Sequence, residues 1–241
     1  MTLAASPTLL SDYQRDGVVR IRQFISSDDL LRIRNELAAY VKDIAPTLPA
    51  SEVTFEADGK TARNLWRMEK HSPFFAEVAR KPEILNFVRA LVHGEPVLLG
   101  VETFNKPARI GSGVPPHQDN AYFCQAPPDV LTVWIAIDPV TEANGPVFYE
   151  RGSHRQMRLH KASGVKGNSM GLAEAFHPAN SFMGLLEPGD ALVHHCQTIH
   201  YSEPNRTDSP RCGFLLVYRG SHTQTDPALK SAYDQGRALV A

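Results

Sequence analysis

The residues of this 241-residue chain whose types and spacing most clearly suggest a chemical role are a histidine and a carboxylate two positions apart, His117 and Asp119. In an extended strand, residues i and i+2 point to the same face, so the pair would offer one nitrogen and one oxygen ligand to a single ion. Gln118 would point to the opposite face. A third ligand, for which we choose His200, would complete the two-His-one-carboxylate triad that holds non-haem Fe(II) with open coordination positions.

The His-x-Asp pair carries little information alone, because a chain with ten histidines produces such a pair easily by chance. The downstream sequence is more informative. A turn signal at residues 188–190 leads into an apolar run at 191–193, His200 follows, and Arg211 comes just before a second apolar run at 214–217. An unpaired arginine is costly to bury, so we expect Arg211 to bind a carboxylate through its forked guanidinium.

These motifs, taken in order, resemble the phytanoyl-CoA dioxygenase-like family of Fe(II)/2-oxoglutarate-dependent oxygenases. The resemblance runs from about residue 13 to 218, and its strength lies in the ordered set, since each motif alone is weak. The motifs are His-Gln-Asp at 117–119, Trp-Ile-Ala-Ile-Asp at 134–138, Asn-Gly-Pro at 144–146, Gly-Ser-His at 152–154, Pro-Gly-Asp at 188–190, His-Tyr-Ser at 200–202, Pro-Asn at 204–205 and Arg211. The eleven-residue step from His200 to Arg211 is also the family's spacing.

The resemblance implies Fe(II) and 2-oxoglutarate as cofactor and co-substrate. Their expected ligands are His117, Asp119 and His200 for the metal, and Arg211 and Ser202 for the distal carboxylate of 2-oxoglutarate. Similar family members use the residue matching Trp134 against 2-oxoglutarate, and an indole N–H can donate to a carboxylate. Lys106, Arg63 and Arg67 are weaker candidates for binding the co-substrate or the prime substrate. Glu102, Asn120 and Tyr122 are weaker candidates for binding the prime substrate.

Three further histidines have simpler interpretations. His194 and His195 precede His200, but only one distal ligand is needed, and His195 matches a family position that is not a ligand. His154 is better explained by a turn or a hydrogen-bond network.

The implied activity is hydroxylation of a small-molecule substrate, with conversion of 2-oxoglutarate to succinate and CO2. One alternative is the same iron chemistry used for desaturation or ring formation, whereas halogenation requires a small residue in place of Asp119. A second alternative is a non-catalytic, cupin-like metal-binding module. Arg211 disfavours it, because a metal sensor has no use for a carboxylate clamp. Release of succinate from 2-oxoglutarate in the absence of prime substrate would distinguish an oxygenase from a non-catalytic metal-binding module.

Composition narrows the class of protein further. With 42% apolar residues, the chain suits a single dioxygenase domain over residues 1–241. A formal net charge of −1 gives no electrostatic basis for binding nucleic acid or an anionic membrane. Three scattered cysteines predict neither disulfides nor a zinc site, and no signal peptide or membrane span is evident. We therefore expect a cytoplasmic protein; its oligomeric state is left open.

The elements that must position these residues change character along the chain. Hydrophobic periodicity predicts helices at 10–16, 30–44, 71–80 and 82–92, with Ser26 and Asp29 as a capping pair, and a last helix within 223–241. Alternating or apolar runs predict strands at 17–21, 61–68, 97–106, 115–123, 131–138 and 146–149.

Two polar stretches are interpreted as loops. Residues 46–60 are expected to overhang the site, and 155–187, with a helix near 170–176, to form a lid-like insertion. Helices followed by many short strands indicate an α+β protein. Its core would be a double-stranded β-helix (a jelly roll, cupin-like), with the N-terminal helices packed on one face. Such a barrel brings ligands from distant strands to one mouth.

Overall fold

A computed structural model of the protein describes residues 5–158, 160, 169–170 and 177–238. Its helices are α1 (Pro7–Asp16), α2 (Ser27–Asp43), α3 (Pro73–Val78), α4 (Pro82–Arg89), α5 (Asn120–Phe123) and α6 (Pro227–Ala238). Its strands are β1 (Val18–Ile21), β2 (Val53–Phe55), β3 (Ala62–Leu65), β4 (Pro96–Lys106), β5 (Val114–His117), β6 (Gln125–Ala126), β7 (Val130–Ala136), β8 (Val147–Glu150), β9 (Ser181–Gly184), β10 (Ala191–His195), β11 (His200–Ser202), β12 (Arg211–Gly220) and β13 (Gln224–Thr225).

Two antiparallel sheets form the body of the jelly roll. The larger has the order β1-β10-β7-β12-β4-β3-β2, and the smaller has the order β5-β11-β8-β9. From β9 to β12, consecutive strands alternate between these two sheets, so strands distant in sequence become neighbours. The pair β5 and β11 brings His117 opposite His200. The predicted α+β double-stranded β-helix is confirmed.

The N-terminal helices cover the outer face of the larger sheet. Each begins where the sequence supplies a cap: the Ser26 hydroxyl accepts the Asp29 amide at the start of α2, and Pro82 opens α4. Inward-facing residues of α2, such as Ile33 and Leu37, join one large apolar cluster with the outward face of β7 and β12. Because this cluster covers one face and the smaller sheet covers the other, all seven residues of β7 are buried.

A second apolar cluster lies between the two sheets. Trp134 of β7 and Leu215 of β12 contribute from the larger sheet, and Val147 and Tyr149 of β8 from the smaller. This inner cluster closes the interior of the barrel beside the candidate site, so the site residues project from a packed and rigid scaffold.

The structure corrects three of the predicted segments. The strand predicted over 115–123 ends at His117, and the chain turns at once into the short helix α5. The predicted loop at 46–60 contains the sheet-edge strand β2. The stretch 155–187 contains β9, which pairs along its whole length with β8, so its C-terminal part is sheet and not lid. The helix predicted at 170–176 lies outside the described residues, except for Met170.

The other predicted helices and strands are present, most of them shorter by a few residues at their ends. The last helix, α6, packs on α5, where Tyr233 contacts Tyr122 edge to face. Within the described residues, none of the helices has the length and apolar character needed to cross a bilayer.

Candidate metal centre

The side chains of His117, Asp119 and His200 converge at one mouth of the barrel. Their ligand atoms all lie within 4.8 Å of one another. Oδ1 of Asp119 is 3.5 Å from Nε2 of His117 and 3.6 Å from Nε2 of His200. The three side chains are only 11%, 15% and 12% exposed, so a bound ion would be largely shielded from water. In the described residues, no other group of three such side chains meets the same distance condition.

The backbone fixes which nitrogen each histidine presents. Nδ1 of His117 donates to the Pro115 carbonyl at 2.8 Å, and Nδ1 of His200 donates to the Thr198 carbonyl at 2.9 Å. Each bond places the ring proton on Nδ1 and leaves the Nε2 lone pair free. Hydrogen bonds of this kind orient metal-binding imidazoles in proteins. Both rings therefore carry the tautomer that a metal ligand requires.

Asp119 reaches the same point from outside the strand. It has helical backbone angles, φ −56° and ψ −30°, and precedes α5. The Phe123 amide donates to its carbonyl at 3.0 Å, which forms the turn. Gln118 is fully buried, and its side-chain amide donates to the Gln156 and Gln197 carbonyls. The turn and the buried Gln118 thus place Asp119 beside His117.

The second oxygen of Asp119 is held by other residues. Nε2 of His194 lies 3.2 Å from Oδ2, and Thr132 donates to the same atom at 3.4 Å. The Tyr149 hydroxyl lies 3.2 Å from Nδ1 of His194. Because an ionised carboxylate only accepts, His194 donates from Nε2 and accepts at Nδ1. This chain of hydrogen bonds fixes the carboxylate so that Oδ1 faces the two ligand imidazoles.

The protonation states suit a cation. Burial, together with nearby His117, lowers the pKa of His200 to about 3, which keeps the imidazole neutral and able to bind a metal. Burial alone would raise the pKa of Asp119, but the surrounding imidazoles, His200 first among them, hold it well below its usual value. One carboxylate and two imidazole nitrogens form the donor set of the non-haem Fe(II) facial triad.

A second feature of the barrel interior is a buried guanidinium without a carboxylate. Arg211 is 2% exposed, and one of its terminal nitrogens donates to the Gly145 carbonyl at 2.8 Å. Its Nε has no hydrogen-bond partner, and no ion pair among the described residues involves it. Burial lowers its pKa to about 10, so it remains charged at neutral pH. Arg211 therefore has unused capacity for an anionic ligand.

Two more cations lie close to Arg211. Lys106 is directly opposite Arg211 in the β4–β12 ladder, and its Nζ donates to the Ser112 carbonyl at 2.5 Å. Burial, followed by the charges of Arg211 and Arg63, lowers the pKa of Lys106 to about 6. Arg63 of β3 donates to the Gly113 carbonyl at 2.9 Å. The structure thus brings three of the sequence-predicted cations to one end of the interior.

Ser202 and Trp134 border this cationic end. Ser202 is buried on β11, two positions after His200 and therefore on the same face of the strand. Trp134 lies against Arg211, with 5.2 Å from the guanidinium carbon to the ring centroid. Gly213 leaves room for the indole: a Cβ added there would lie 2.2 Å from ring atoms of Trp134. The aromatic face and the guanidinium are therefore packed as one unit.

The three residues considered for the prime substrate have different surroundings. Tyr122 contacts His117 edge to face at 5.6 Å between ring centroids. Glu102 faces the barrel interior from β4, on the same face as Phe104 and Lys106. Asn120 is a correction: it is buried, and its amide group exchanges two hydrogen bonds with the Gln125 backbone. It fixes the turn after α5, and at 1% exposure it has almost no surface available to a substrate.

The remaining histidines of this region differ in their contacts. His194 is the residue that sequence reasoning undervalued, because it positions Asp119 without being one of the converging ligands. Its position next to an apolar run was the available signal, since a histidine on the inner face of a buried strand needs a polar partner. His195 points the other way and contacts His154 at 5.4 Å between centroids, while His154 lies near the Gln14 carbonyl.

A double-stranded β-helix with a His-x-Asp and a distal His at its mouth defines the class of cupin-fold non-haem iron oxygenases. The sequence profile of the phytanoyl-CoA dioxygenase (PhyH) family matches residues 13–213. The chain belongs to this family. The expected family and its cofactor class, Fe(II) with 2-oxoglutarate, are thereby confirmed.

Individual relatives and solved structures are similar to the chain in sequence or in fold. The chain is 24% identical to mouse phytanoyl-CoA dioxygenase domain-containing protein 1 over 259 residues, which span 88% of this chain and 89% of the mouse protein. EctD from S. alaskensis, solved with 2-oxoglutarate and 5-hydroxyectoine, has a similar fold, with a TM-score of 0.75 at 21% identity over 89% of this chain and 76% of EctD. The carbocyclase SnoK from nogalamycin biosynthesis has a TM-score of 0.77 at 20% identity. The match covers 94% of this chain and 89% of SnoK.

Proposed function

We propose that this protein is an Fe(II)/2-oxoglutarate-dependent dioxygenase that hydroxylates a small-molecule substrate. The observation that carries the proposal is the combination, in one barrel, of three converging ligands with a buried arginine that lacks a carboxylate partner. The ligands alone would suit a metal-binding module. The orphaned Nε of Arg211 calls for an anion as well, and the distal carboxylate of 2-oxoglutarate has the right charge and shape.

The residues of the site would have the following roles. His117, Asp119 and His200 would hold Fe(II), which would activate O2. One oxygen atom of O2 would end in succinate as 2-oxoglutarate loses CO2, and the other in the hydroxyl group of the product. Arg211 and Ser202 would bind the distal carboxylate, with Trp134 fixing the guanidinium from one side. Arg63 adds positive charge at the same end, and Lys106, whose pKa of about 6 leaves it largely neutral in the empty protein, would gain a proton more easily beside a bound carboxylate. The buried site excludes water, which strengthens each of these contacts.

The test is release of succinate from 2-oxoglutarate by the purified protein with Fe(II) and oxygen. We expect metal-dependent release by the wild type and a strongly reduced rate in Arg211→Ala at low 2-oxoglutarate. No release under any metal or co-substrate concentration would contradict the proposal and favour the non-catalytic module. With a substrate in hand, mass spectrometry of the product separates hydroxylation, a gain of one oxygen atom, from desaturation or ring closure, a loss of two hydrogens.

A further inference from the structure

A carboxylate in the barrel interior lacks a partner within the protein. Glu102 lies in the middle of β4, opposite Leu215 of β12, and Leu215 belongs to the apolar cluster between the sheets. Within the described part of the chain, no hydrogen bond or ion pair involves the Glu102 carboxylate. Neighbouring acids differ: Glu69 accepts the Val101 amide at 2.8 Å, and Glu56 accepts both the amide and the hydroxyl of Ser112.

Glu102 lines a space and is not sealed in the core. Its side chain is densely surrounded by protein, yet part of its surface is accessible to solvent. Burial, followed by the charges of Asp119 and Glu69, raises the pKa of Glu102 to about 8. Arg67 acts in the opposite direction, but the Nε of this arginine lies 3.6 Å from Glu52. A carboxyl held in such surroundings without a partner is typical of a binding position.

The charges of the interior are separated along the barrel. Arg211, Lys106 and Arg63 stand at one end, and Asp119 and Glu102 at the other. Lys106 is on the same strand face as Glu102 but four residues away, which is about 13 Å along a strand. Its ammonium is also bonded to the Ser112 carbonyl. Arg211, Arg63 and Lys106 therefore lie at the co-substrate end. Among the described residues, Arg67 is a cation whose charge acts on Glu102, but the two form no ion pair.

We propose that Glu102 is a specificity-determining residue that binds a cationic nitrogen of the prime substrate, so that the substrate is an amine- or guanidine-bearing small molecule. The inference rests on the proposed function, because it treats the three-ligand site as the reacting centre. Held by Glu102, a substrate nitrogen would lie at the acidic end of the interior, near Asp119, and a C–H bond close to that nitrogen would face the metal ligands. When no cation is present, a pKa of about 8 leaves the Glu102 carboxyl mostly protonated at neutral pH, and a cationic nitrogen would favour its ionised form. A neutral or anionic substrate would not supply this counter-charge.

The first test measures binding with a simple probe pair, butylammonium and 1-butanol. Calorimetric titrations use the full-length protein loaded with Ni(II) and 2-oxoglutarate, which does not turn over, and also the metal-free protein. We expect the wild type to bind butylammonium at least ten-fold tighter than 1-butanol. Glu102→Gln, which keeps the shape and removes the charge, should weaken butylammonium binding by about ten- to a hundred-fold. The affinity of Glu102→Asp for butylammonium should lie between those of the wild type and Glu102→Gln.

The matched control is Glu95→Gln, an exposed glutamate paired with Arg89 far from the interior. This variant should bind both probes like the wild type. Thermal unfolding checks that Glu102→Gln is folded, and we expect no loss of stability, because the change removes an unpartnered buried carboxyl. Equal binding of the two probes by the wild type, or an ammonium preference that survives in Glu102→Gln, would overturn the inference.

A turnover screen then tests the substrate class. Amines and guanidines, each paired with the alcohol and the carboxylate of the same skeleton, are scored for stimulated succinate release. Stimulation confined to cationic compounds supports the inference, and stimulation by neutral or anionic compounds contradicts it. For a cationic substrate, Glu102→Gln should raise KM for that substrate at least ten-fold and KM for 2-oxoglutarate by less than two-fold. Failure of Ni(II) or 2-oxoglutarate to bind would count against the proposed function, whereas the probe titration on metal-free protein still judges Glu102.

Discussion

Nε2 of His194 lies 3.2 Å from Oδ2 of Asp119, while the other carboxylate oxygen, Oδ1, faces His117 and His200. Asp119 therefore divides its two oxygens between a supporting histidine and the metal position. Because Asp119 stands at the end of a strand and not within it, the ladder of the sheet does not set its side-chain direction. His194 supplies that constraint, and the Tyr149 hydroxyl in turn fixes His194.

The first prediction concerns this support. His194→Leu should weaken metal binding by about ten- to a hundred-fold, the usual effect of removing a hydrogen bond that orients a ligand. His194→Gln, whose amide can donate, should recover part of the loss. Titration with Co(II) followed by its absorption spectrum measures both. The control is His195→Gln on the opposite face of β10, which should bind the metal like the wild type; equal losses at both positions would show a general effect on the strand.

The second prediction concerns the ligands themselves. His117→Ala or Asp119→Ala should abolish tight Fe(II) binding and all succinate release, because two ligands are too few to hold the ion. The fold should persist, since both side chains lie at the barrel mouth and outside the apolar clusters. Circular dichroism and metal titration distinguish these effects. Turnover at the wild-type rate in either variant would refute the assignment of the triad.

The third prediction concerns the carboxylate clamp. Arg211→Ala should raise KM for 2-oxoglutarate about ten- to a hundred-fold, which corresponds to roughly 1.5–3 kcal/mol for a charge-assisted contact. Arg211→Lys retains charge but loses the fork, so it should restore only part of the affinity. The measurement is succinate release against 2-oxoglutarate concentration. If the curve of Arg211→Ala matches that of the wild type, the clamp lies elsewhere, with Lys106 and Arg63 the next residues to test.

The fourth prediction is a pH dependence that arises from Lys106. Burial lowers its pKa from 10.5 to about 6, so between these two values the unfolded state binds more protons than the folded state. The free energy of unfolding therefore gains a contribution that rises with pH across this window. Lys106→Met removes the contribution. We expect the stability of the Met variant relative to wild type to be greatest near about pH 6.5 and to shrink by about pH 9, measured by urea unfolding without 2-oxoglutarate. A constant difference would show that Lys106 is not buried as a neutral amine.

The fifth prediction concerns the packing that holds Arg211. Gly213→Ala places a methyl group 2.2 Å from the Trp134 ring, so the indole must move. The overpacked variant should lose about 1–3 kcal/mol of stability. The chain has two tryptophans, so a shift in fluorescence reports the displacement. Gly100→Ala is the matched control on the neighbouring strand, because its added Cβ meets nothing nearer than 3.6 Å; a similar loss there would point to strand propensity instead.

The sequence was sufficient to predict the barrel, the buried position of Arg211 and the three side chains that converge at the barrel mouth, for physical reasons. The strands β4 and β7 carry apolar or alternating runs whose burial decides their structure, and Arg211 directly precedes such a run. Spacing alone could not show that Lys106 would be paired across a ladder with Arg211, because register depends on which strands become neighbours.

The segments whose structure was predicted incorrectly also have a physical explanation. Residues 120–123 have apolar and aromatic character that suits a strand, but the Phe123 amide bonds the Asp119 carbonyl and closes a helical turn. β9 is short and partly polar, so its pairing with β8 is a tertiary effect that local propensity does not report. Of the predicted lid, Ser169 and Met170 are buried, and Met170 donates to the Pro116 carbonyl beside the ligand strand. Residues 159, 161–168 and 171–176 of the predicted lid lie outside the described residues, and closure over a substrate stays a prediction.

The cross-strand pairing of His200 with His117 on one side and Tyr149 on the other has a consequence for how the protein acquires its metal. The backbone ladder of the smaller sheet holds the two imidazoles side by side through main-chain hydrogen bonds that do not involve the ligand atoms. The conformational entropy of gathering the ligands is therefore lost during folding and not at the moment of binding. Unlike a zinc finger, which is unfolded without metal, this protein should exist as a stable empty receptor that takes up and releases iron by simple exchange, so cellular iron supply would set the fraction that is active and leave the folded population unchanged.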